Sequence, residues 1–221
     1  MKKSIIFVEG PADAVFLNDL IHHLMPGGNI RYKEISKFKP GKAIQIYNEP
    51  DINLFVSGGC THIEKFNKKI SEFLDDGYNI LLIQDADNLE KDSYAGGFDK
   101  RMAYLNKIKT EYSIDFETFL LPNHKNDGDL EGILEKLVLK DKYDLFYNNY
   151  LKYCLEIEKF SSKAHSNELL QLKYRIYGYC QVFHGMELAN ERNRDYHNKH
   201  WNLNDSSLNP LKKFLVSELG I

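Results

Sequence analysis

Two short runs of uninterrupted apolar residues constrain the fold of this chain more than any other sequence feature. They are residues 5–8, Ile-Ile-Phe-Val, and residues 80–83, Ile-Leu-Leu-Ile. A strand with one face in water alternates polar and apolar residues, whereas a strand buried on both faces is apolar throughout. Apolar residues at helical spacing come between the two runs and again after the second. Buried strands that alternate with helices predict parallel pairing through right-handed crossovers.

The same alternation extends over the first 138 residues and then stops. We predict further strands at residues 31–36, 53–56 and 115–121, and helices at residues 14–24, 63–74 and 98–109. From residue 141 the apolar positions follow helical spacing, and a last helix begins at Pro210. The prediction is an α/β domain over residues 1–138, with a mainly helical C-terminal extension, residues 139–221, packed on it.

Composition narrows the class of protein. The 221 residues carry a net charge of −3, so no strong overall field draws the chain to nucleic acid. The apolar run near the N-terminus is too short for a secretory signal or a membrane span. Three cysteines that lie far apart, Cys60, Cys154 and Cys180, are typical of a reducing compartment. We therefore predict a cytoplasmic protein with no membrane association.

Acidic residues follow three of the predicted strands. They are Glu9 and Asp13 at the first strand, Asp85 and Asp87 at the second buried strand, and Glu131 after the last strand. In open α/β sheets, the carboxyl ends of the strands meet at one crevice, and five negative charges there repel one another unless protons or cations enter. Carboxylate oxygens suit Mg²⁺ or Mn²⁺, and two such ions would cancel four of the five charges.

Most of these acids also have an ordinary explanation. Asp13, Asp129 and Glu131 lie where a helix begins, and carboxylates are favoured there by the helix dipole and by capping. Asp85 and Asp87 could be loop acids after a strand; if the chain is extended there, they share a face. The occurrence of acids at three separate strand ends favours a shared site.

Short motifs around these acids resemble a known family. Residues 8–13, Val-Glu-Gly-Pro-Ala-Asp, resemble the strand-one signature of the Toprim (topoisomerase–primase) fold, and residues 85–87, Asp-Ala-Asp, resemble its DxD motif. Asp13 and residues 128–131, Gly-Asp-Leu-Glu, are closer to the OLD (overcoming lysogenization defect) nuclease branch. The chain is also similar to short stand-alone Toprim-like proteins of unknown function. The resemblance implies a Toprim-like (Rossmann-like) fold over residues 4–137.

The resemblance also implies metal-dependent phosphoryl transfer on nucleic acid, DNA or RNA, with phosphodiester hydrolysis as the reaction. Glu9 would be a metal ligand or a general acid/base. Asp85 and Asp87 would hold Mg²⁺ or Mn²⁺, and Asp13 and Glu131 would complete a second site in a two-ion scheme. One or two ions are therefore implied.

A catalytic lysine on a later helix is part of the same resemblance to the OLD branch. Lys173 is the best match and Arg175 is the alternative, although a charge on a solvated helix face would also explain Lys173. OLD proteins usually carry an ATPase, but the phosphate-loop pattern GxxxxGK[ST] does not occur in this sequence. A separate ATPase or another protein is therefore an expected partner.

Two segments are candidates for contact with substrate. Residues 31–42 hold five basic residues and one acid, interleaved with aromatic residues, and Lys37 and Lys39 suit a groove for a nucleic-acid backbone. Backbone N–H groups at Gly10 and at residues 57–59 (Ser57, Gly58 and Gly59) could approach a phosphate. A solvated connection and a tight turn are the simpler explanations.

Three alternative functions stay open at this point. Cys180, His184, His197 and His200 have spacing close to that of a zinc site. A non-catalytic Toprim-like module could use the acidic crevice to hold a metal-bound nucleotide or a partner protein. A small-molecule phosphohydrolase would need similar acids.

Overall fold

The computed structural model of this protein describes residues 2–27, 40–88, 96–160, 171–190 and 193–221. Its strands are β1 (Ser4–Val8), β2 (Ala43–Tyr47), β3 (Ile52–Val56), β4 (Asn79–Asp85) and β5 (Glu117–Leu121). The predicted strand at residues 31–36 and the candidate residues Lys37 and Lys39 lie outside the described residues, so they stay predictions.

The five strands form one sheet in the order β2-β3-β1-β4-β5. Strand β1 is parallel to β3 and to β4, and β4 is parallel to β5, whereas β2 is antiparallel to β3. The predicted α/β class with a mostly parallel sheet is confirmed.

Helices follow the strands in the predicted alternation and then continue to the C-terminus. They are α1 (Pro11–Leu24), a 3₁₀ helix (Cys60–Phe66) that leads into α2 (Asn67–Asp75), α3 (Phe98–Tyr112), α4 (Leu130–Leu137), α5 (Lys140–Phe160), α6 (Leu172–His184), α7 (Met186–Ala189), a second 3₁₀ helix (Ser206–Leu208) and α8 (Asn209–Leu219). None of the helices in these described ranges is both long enough and apolar enough to cross a bilayer.

Strand β2 was not predicted. Its sequence, Ala-Ile-Gln-Ile-Tyr, buries Ile44 and Ile46 on one side and leaves the intervening residues partly exposed. This is the alternation of an edge strand with one covered face, and over five residues it is too short to be distinguished from a loop.

The sheet separates two hydrophobic cores. Alternate residues of β1 belong to different cores, with Ile6 and Val8 on one face and Ile5 and Phe7 on the other. Helices α2 and α3 cover the second face, and α1 covers the first. This division explains why β1 and β4 are apolar throughout, as expected for strands buried on both faces.

The C-terminal helices contribute to the core on the α1 face. Ile176 and Tyr179 of α6 and Leu211 and Leu215 of α8 are buried in the same cluster as Ile6 of β1. The helical extension thus shares a core with the sheet, whereas the division into domains at residue 138 stays a prediction. Helix α6 passes beside α4, which places its first turn near the carboxyl edge of the sheet.

Candidate functional site

The two buried strands bring their acids to the same edge of the sheet. In the parallel pairing of β1 with β4, Val8 lies opposite Ile83. Glu9 follows Val8 directly, and Asp85 is the last residue of β4. The register therefore places Glu9 and Asp85 on adjacent strands at their carboxyl ends.

The start of α1 fixes Asp13 beside this edge. The Gly10 N–H donates to Asp13 Oδ2 at 2.8 Å, which is half of a capping box. A Cβ atom at Gly10 would lie only 3.3 Å from the same carboxylate oxygen. Because its N–H is used within the protein, the structure gives Gly10 the role of orienting Asp13 and does not support the predicted contact of this N–H with substrate.

The start of α4 is tied to the end of β4. Asp85 Oδ1 accepts a hydrogen bond from the Leu130 N–H at 2.9 Å. Asp129 is the N-cap of α4, and its Oδ1 accepts from the Gly132 N–H at 3.0 Å. These bonds hold Glu131, in the first turn of α4, close to the Asp85 carboxylate.

Asp87 departs from the expected arrangement. Its φ of 56° is left-handed, and its backbone exchanges two hydrogen bonds with Gly128, at 2.7 and 2.9 Å. Gly128 itself has a φ of 142°, and a Cβ there would meet Pro122 at 3.0 Å. The chain is therefore not extended at residue 87, so the condition under which Asp85 and Asp87 would share one face of an extended strand is not met.

Asp87 pairs with a cation that lies inside the protein. Arg101 of α3 is 0% exposed, and its Nη2 donates to Asp87 Oδ2 at 3.1 Å. The charge of Arg101 also acts on Glu9, where it offsets part of the rise in pKa that burial and Asp13 produce. Asp87 therefore has a buried, positively charged partner within the fold.

Burial and mutual repulsion raise the pKa values of two of the acids. The pKa of Glu9 rises from 4.5 to about 8, mainly because the carboxyl is buried and secondly because Asp13 is close. The pKa of Asp85 rises well above its ordinary value through burial. The negative charges that raise it further are those of Asp13, Glu9, Glu131 and Asp87. All five predicted acids therefore share one electrostatic environment, with Asp85 at its centre.

A cavity of about 640 Å³ opens from this cluster toward α6. Asp85, Glu131 and Lys173 are among the residues that line it. Arg175, the alternative to Lys173, lies elsewhere and pairs with Glu135 at 3.0 Å. The structure thus distinguishes the two candidates by position, and only Lys173 faces the acids.

The acids suit a divalent cation in their chemistry but not in their arrangement. The available ligand atoms are all carboxylate oxygens. The buried Glu9 Oε1 has no hydrogen-bond partner, which is what we expect of an oxygen that is free to bind a cation. Over the described ranges, however, no three His, Cys, Asp or Glu side chains are close enough together to hold an ion.

The turn after β3 uses the donors of Ser57 and Gly58 within the protein. The Ser57 N–H donates to Val8 O at 2.8 Å, and the Gly58 N–H donates to Glu9 O at 2.9 Å. The Ser57 hydroxyl donates to Val8 O at 3.0 Å. These donors hold the end of β1, so a phosphate contact through them is not supported, whereas such a contact through Gly59 stays a prediction.

The residues of the zinc-like spacing do not gather at one point. The rings of His184 and His200 lie 4.7 Å apart beside Trp201, whereas His197 lies against α1, 4.0 Å from Asp19. Cys180 is a buried free thiol, and burial raises its pKa to about 11, which disfavours the thiolate that zinc requires.

Arg101 is the residue of the site that sequence reasoning missed. It shares the buried face of α3 with Leu105 and Ile108. These positions are spaced i, i+4 and i+7, which is the apolar face of an amphipathic helix. A basic residue at such a position is the signal that could have identified it, since a buried charge requires a partner.

Comparisons with known proteins do not extend this description. No family model matches the chain, and neither the curated proteins nor the solved structures contain a match to it.

Proposed function

We propose that this protein hydrolyses phosphodiester bonds in nucleic acid with the help of Mg²⁺ or Mn²⁺ bound at the acidic cluster. The observation that carries the proposal is the position of Asp85, a carboxylate at the sheet edge that is acted on by four other acids. Such a concentration of negative charge is costly to the fold, and a bound cation would remove that cost. The sequence resemblance to Toprim and OLD nucleases supports the same reaction.

Glu9, Asp13, Asp85 and Glu131 are the residues that would hold the cation, with one or two ions bound. Asp87 accepts a hydrogen bond from Arg101 in this structure, and it would contact both Arg101 and the cation. A bound divalent ion would supply a polarised water and would stabilise negative charge on the leaving oxygen. The raised pKa of Glu9 favours its protonated form, so Glu9 would release a proton when the cation binds.

Lys173 would bind the phosphate of the substrate. It is an exposed residue in the first turn of α6, and it lines the cavity together with Asp85. A lysine ammonium is a compact cation that suits a phosphate oxygen, and its position opposite the acids would orient the phosphoryl group between them. Removing it would lower turnover without removing the cation site.

A second candidate function is a non-catalytic module that binds a metal-bound nucleotide or a partner protein. The observation that favours it is that the carboxylates, over the residues described, do not converge on one point. A separate ATPase or another protein would then be the partner that completes the site.

A nuclease assay distinguishes these functions. Single-stranded and double-stranded DNA and RNA are incubated with Mg²⁺ or Mn²⁺, in parallel with a panel of small phosphate esters. We expect cleavage of a nucleic acid that is lost in Lys173→Ala and retained in Lys152→Ala, which changes a lysine of α5 outside the cavity. Hydrolysis of the small esters alone would show a phosphohydrolase. Tight nucleotide binding with no turnover would favour the module.

A further inference from the structure

A second cavity, of about 460 Å³, lies where α4, α5 and α6 meet. Its lining includes two tyrosines and three cations: Lys136, Lys140, Tyr143, Tyr147 and Arg175. A volume of this size holds a group as large as a nucleobase. The chemistry differs from that of the acidic cluster, because two aromatic rings and charges of both signs line this cavity.

The planar groups of this second cavity are already aligned. The rings of Tyr143 and Tyr147 are parallel to within 8°, with centroids 6.1 Å apart. The Arg175 guanidinium lies 4.9 Å from the centre of the Tyr147 ring. Offset parallel rings and a cation over a ring are both favourable contacts, and together they make a platform for another planar group.

A hydrogen-bond network fixes this platform. The Tyr143 hydroxyl donates to Glu135 Oε1 at 2.8 Å, and Arg175 Nη1 pairs with the same oxygen at 3.0 Å. The acid therefore holds one ring and the guanidinium together. Groups that are ordered before a ligand arrives lose less entropy when it binds.

The second cavity adjoins the first along the same two helices. Glu131 lines the first cavity and Glu135 lines the second, and they are one turn apart on α4. Near the start of α6, Lys173 lines the first cavity and Arg175 lines the second. Four residues of helix advance by about 6 Å, so a single strand that passes the acidic cluster can continue into the second cavity.

The charges of the second cavity are largely balanced. Its lining has three cations, Lys136, Lys140 and Arg175, against two anions, Glu135 and Asp144. Lys140 lies 3.7 Å from Asp144, and Arg175 pairs with Glu135. Stacking should therefore contribute more to binding here than attraction between charges, because little unbalanced charge faces a phosphate.

We propose that the second cavity binds an unpaired nucleobase of a single-stranded nucleic acid, which stacks on the platform formed by Tyr147, Tyr143 and Arg175. The bases of a duplex are paired and stacked on one another, so only a single strand or a frayed end could enter. The inference rests on the proposed function, since it names a single strand as the substrate that the acidic cluster would receive.

The test is the binding of short fluorescent oligonucleotides, followed by anisotropy with EDTA present so that binding does not depend on the metal. Single-stranded DNA, single-stranded RNA and a duplex of the same sequence are compared. We expect Tyr147→Ala to weaken single-strand binding about tenfold or more, the effect of losing one stacked base. Tyr147→Phe keeps the ring and should stay within about twofold of the wild type.

Tyr153→Ala is the matched control, since Tyr153 is a 58% exposed tyrosine of the same helix that does not line the cavity. It should leave affinity within about twofold. The logarithm of the affinity should fall with the logarithm of salt concentration with a slope no steeper than about −1.5, which is two phosphate contacts. A preference for DNA or for RNA would show which sugar the substrate carries, and either preference supports the inference.

Three results would overturn the inference: unchanged affinity in Tyr147→Ala, equal losses in Tyr147→Ala and Tyr153→Ala, or a duplex bound as tightly as the single strand. Thermal unfolding of each variant shows that the fold is intact. A protein that binds Mg²⁺ but no oligonucleotide contradicts this inference alone, whereas a protein that binds oligonucleotide through Tyr147 but no metal contradicts the proposed function alone.

Discussion

Two pairs of acids at the same edge of the sheet have opposite environments. Asp87 and Asp129, the structural pair, are used by the fold: Asp87 binds the buried Arg101 and Asp129 caps α4. Glu9 and Asp85, the proton-holding pair, are buried among other acids, and their pKa values are raised.

The comparison shows that position in the sequence does not decide the role of a carboxylate. All four residues lie at or after the carboxyl end of a strand, and Asp85 and Asp87 belong to one three-residue motif. What differs is the surroundings: burial and neighbouring carboxylates raise the pKa values of Glu9 and Asp85, although Asp85 also accepts the Leu130 N–H. By contrast, Asp87 is paired with a guanidinium and Asp129 caps a helix. A buried carboxylate that lacks a positively charged partner in the fold takes up either a proton or a cation.

The largest effect is expected on catalysis, where the two pairs should behave differently. Asp85→Asn should lower nuclease turnover about 10³-fold or more, because several kcal/mol of transition-state stabilisation by the metal would be lost. Asp129→Asn is the matched control, since Asn is also a good N-cap, and it should keep turnover within a few-fold of the wild type. Equal losses in the two variants would remove the distinction between the pairs.

The next largest effect is expected on stability when the partner of the structural pair is removed. Arg101→Met leaves Asp87 without its buried cation and should lower the free energy of unfolding by about 3 kcal/mol in urea denaturation. Lys100→Met, at the exposed neighbouring position of α3, should change it by less than about 0.5 kcal/mol.

The double variant tests the cause of that loss. Adding Asp87→Asn to Arg101→Met removes the unpaired charge, so part of the lost stability should return. No recovery would show that Arg101 acts through packing and not through its ion pair with Asp87.

A smaller effect, an increase in stability, is expected when Glu9 of the proton-holding pair is replaced. The pKa of Glu9 is raised from 4.5 to about 8, so the folded state binds this proton more tightly than the unfolded state does. The stabilisation is complete below about pH 4.5 and is lost as the pH rises to about 8.

Glu9→Gln cannot lose that proton and should therefore become more stable than the wild type as the pH rises. We expect a gain of about 1–2 kcal/mol at pH 8 in urea denaturation with a chelator present. Asp85 remains in the variant and also has a raised pKa, so the pH dependence should be reduced and not abolished. Identical pH profiles for variant and wild type would contradict the raised pKa of Glu9.

The smallest effect is expected for the cap of α4. Asp129→Ala removes the acceptor of the Gly132 N–H and should cost about 1 kcal/mol of stability. Asp129 also lines the first cavity, but metal affinity should change little, because its Oδ1 is already used by the Gly132 N–H. A large loss of metal binding in this variant would move Asp129 from the structural pair to the site.

The sequence predicted the parts of the fold that depend on local pattern. The apolar runs of β1 and β4 are buried on both faces, as their composition requires, and the acids follow their carboxyl ends. Strand β2 was missed because five alternating residues at the sheet edge resemble a loop.

Features of the site that depend on distant contacts could not be predicted. The left-handed turn at Asp87 is fixed by Gly128, 41 positions later in the chain, and its counter-ion comes from the buried face of α3. The sequence does not show that the N–H groups of Gly10 and Ser57 donate hydrogen bonds within the protein, to Asp13 and to Val8. The choice between Lys173 and Arg175 likewise depends on how α6 packs beside α4.

Isothermal titration calorimetry with Mg²⁺ and Mn²⁺ tests the central claim most directly. It compares the wild type with Asp85→Ala from the proton-holding pair and Asp129→Ala from the structural pair. The account predicts saturable binding to the wild type, one or two ions per chain, that is lost in Asp85→Ala and kept in Asp129→Ala. A wild type that binds neither ion, or an Asp85→Ala variant that binds as the wild type does, would contradict it.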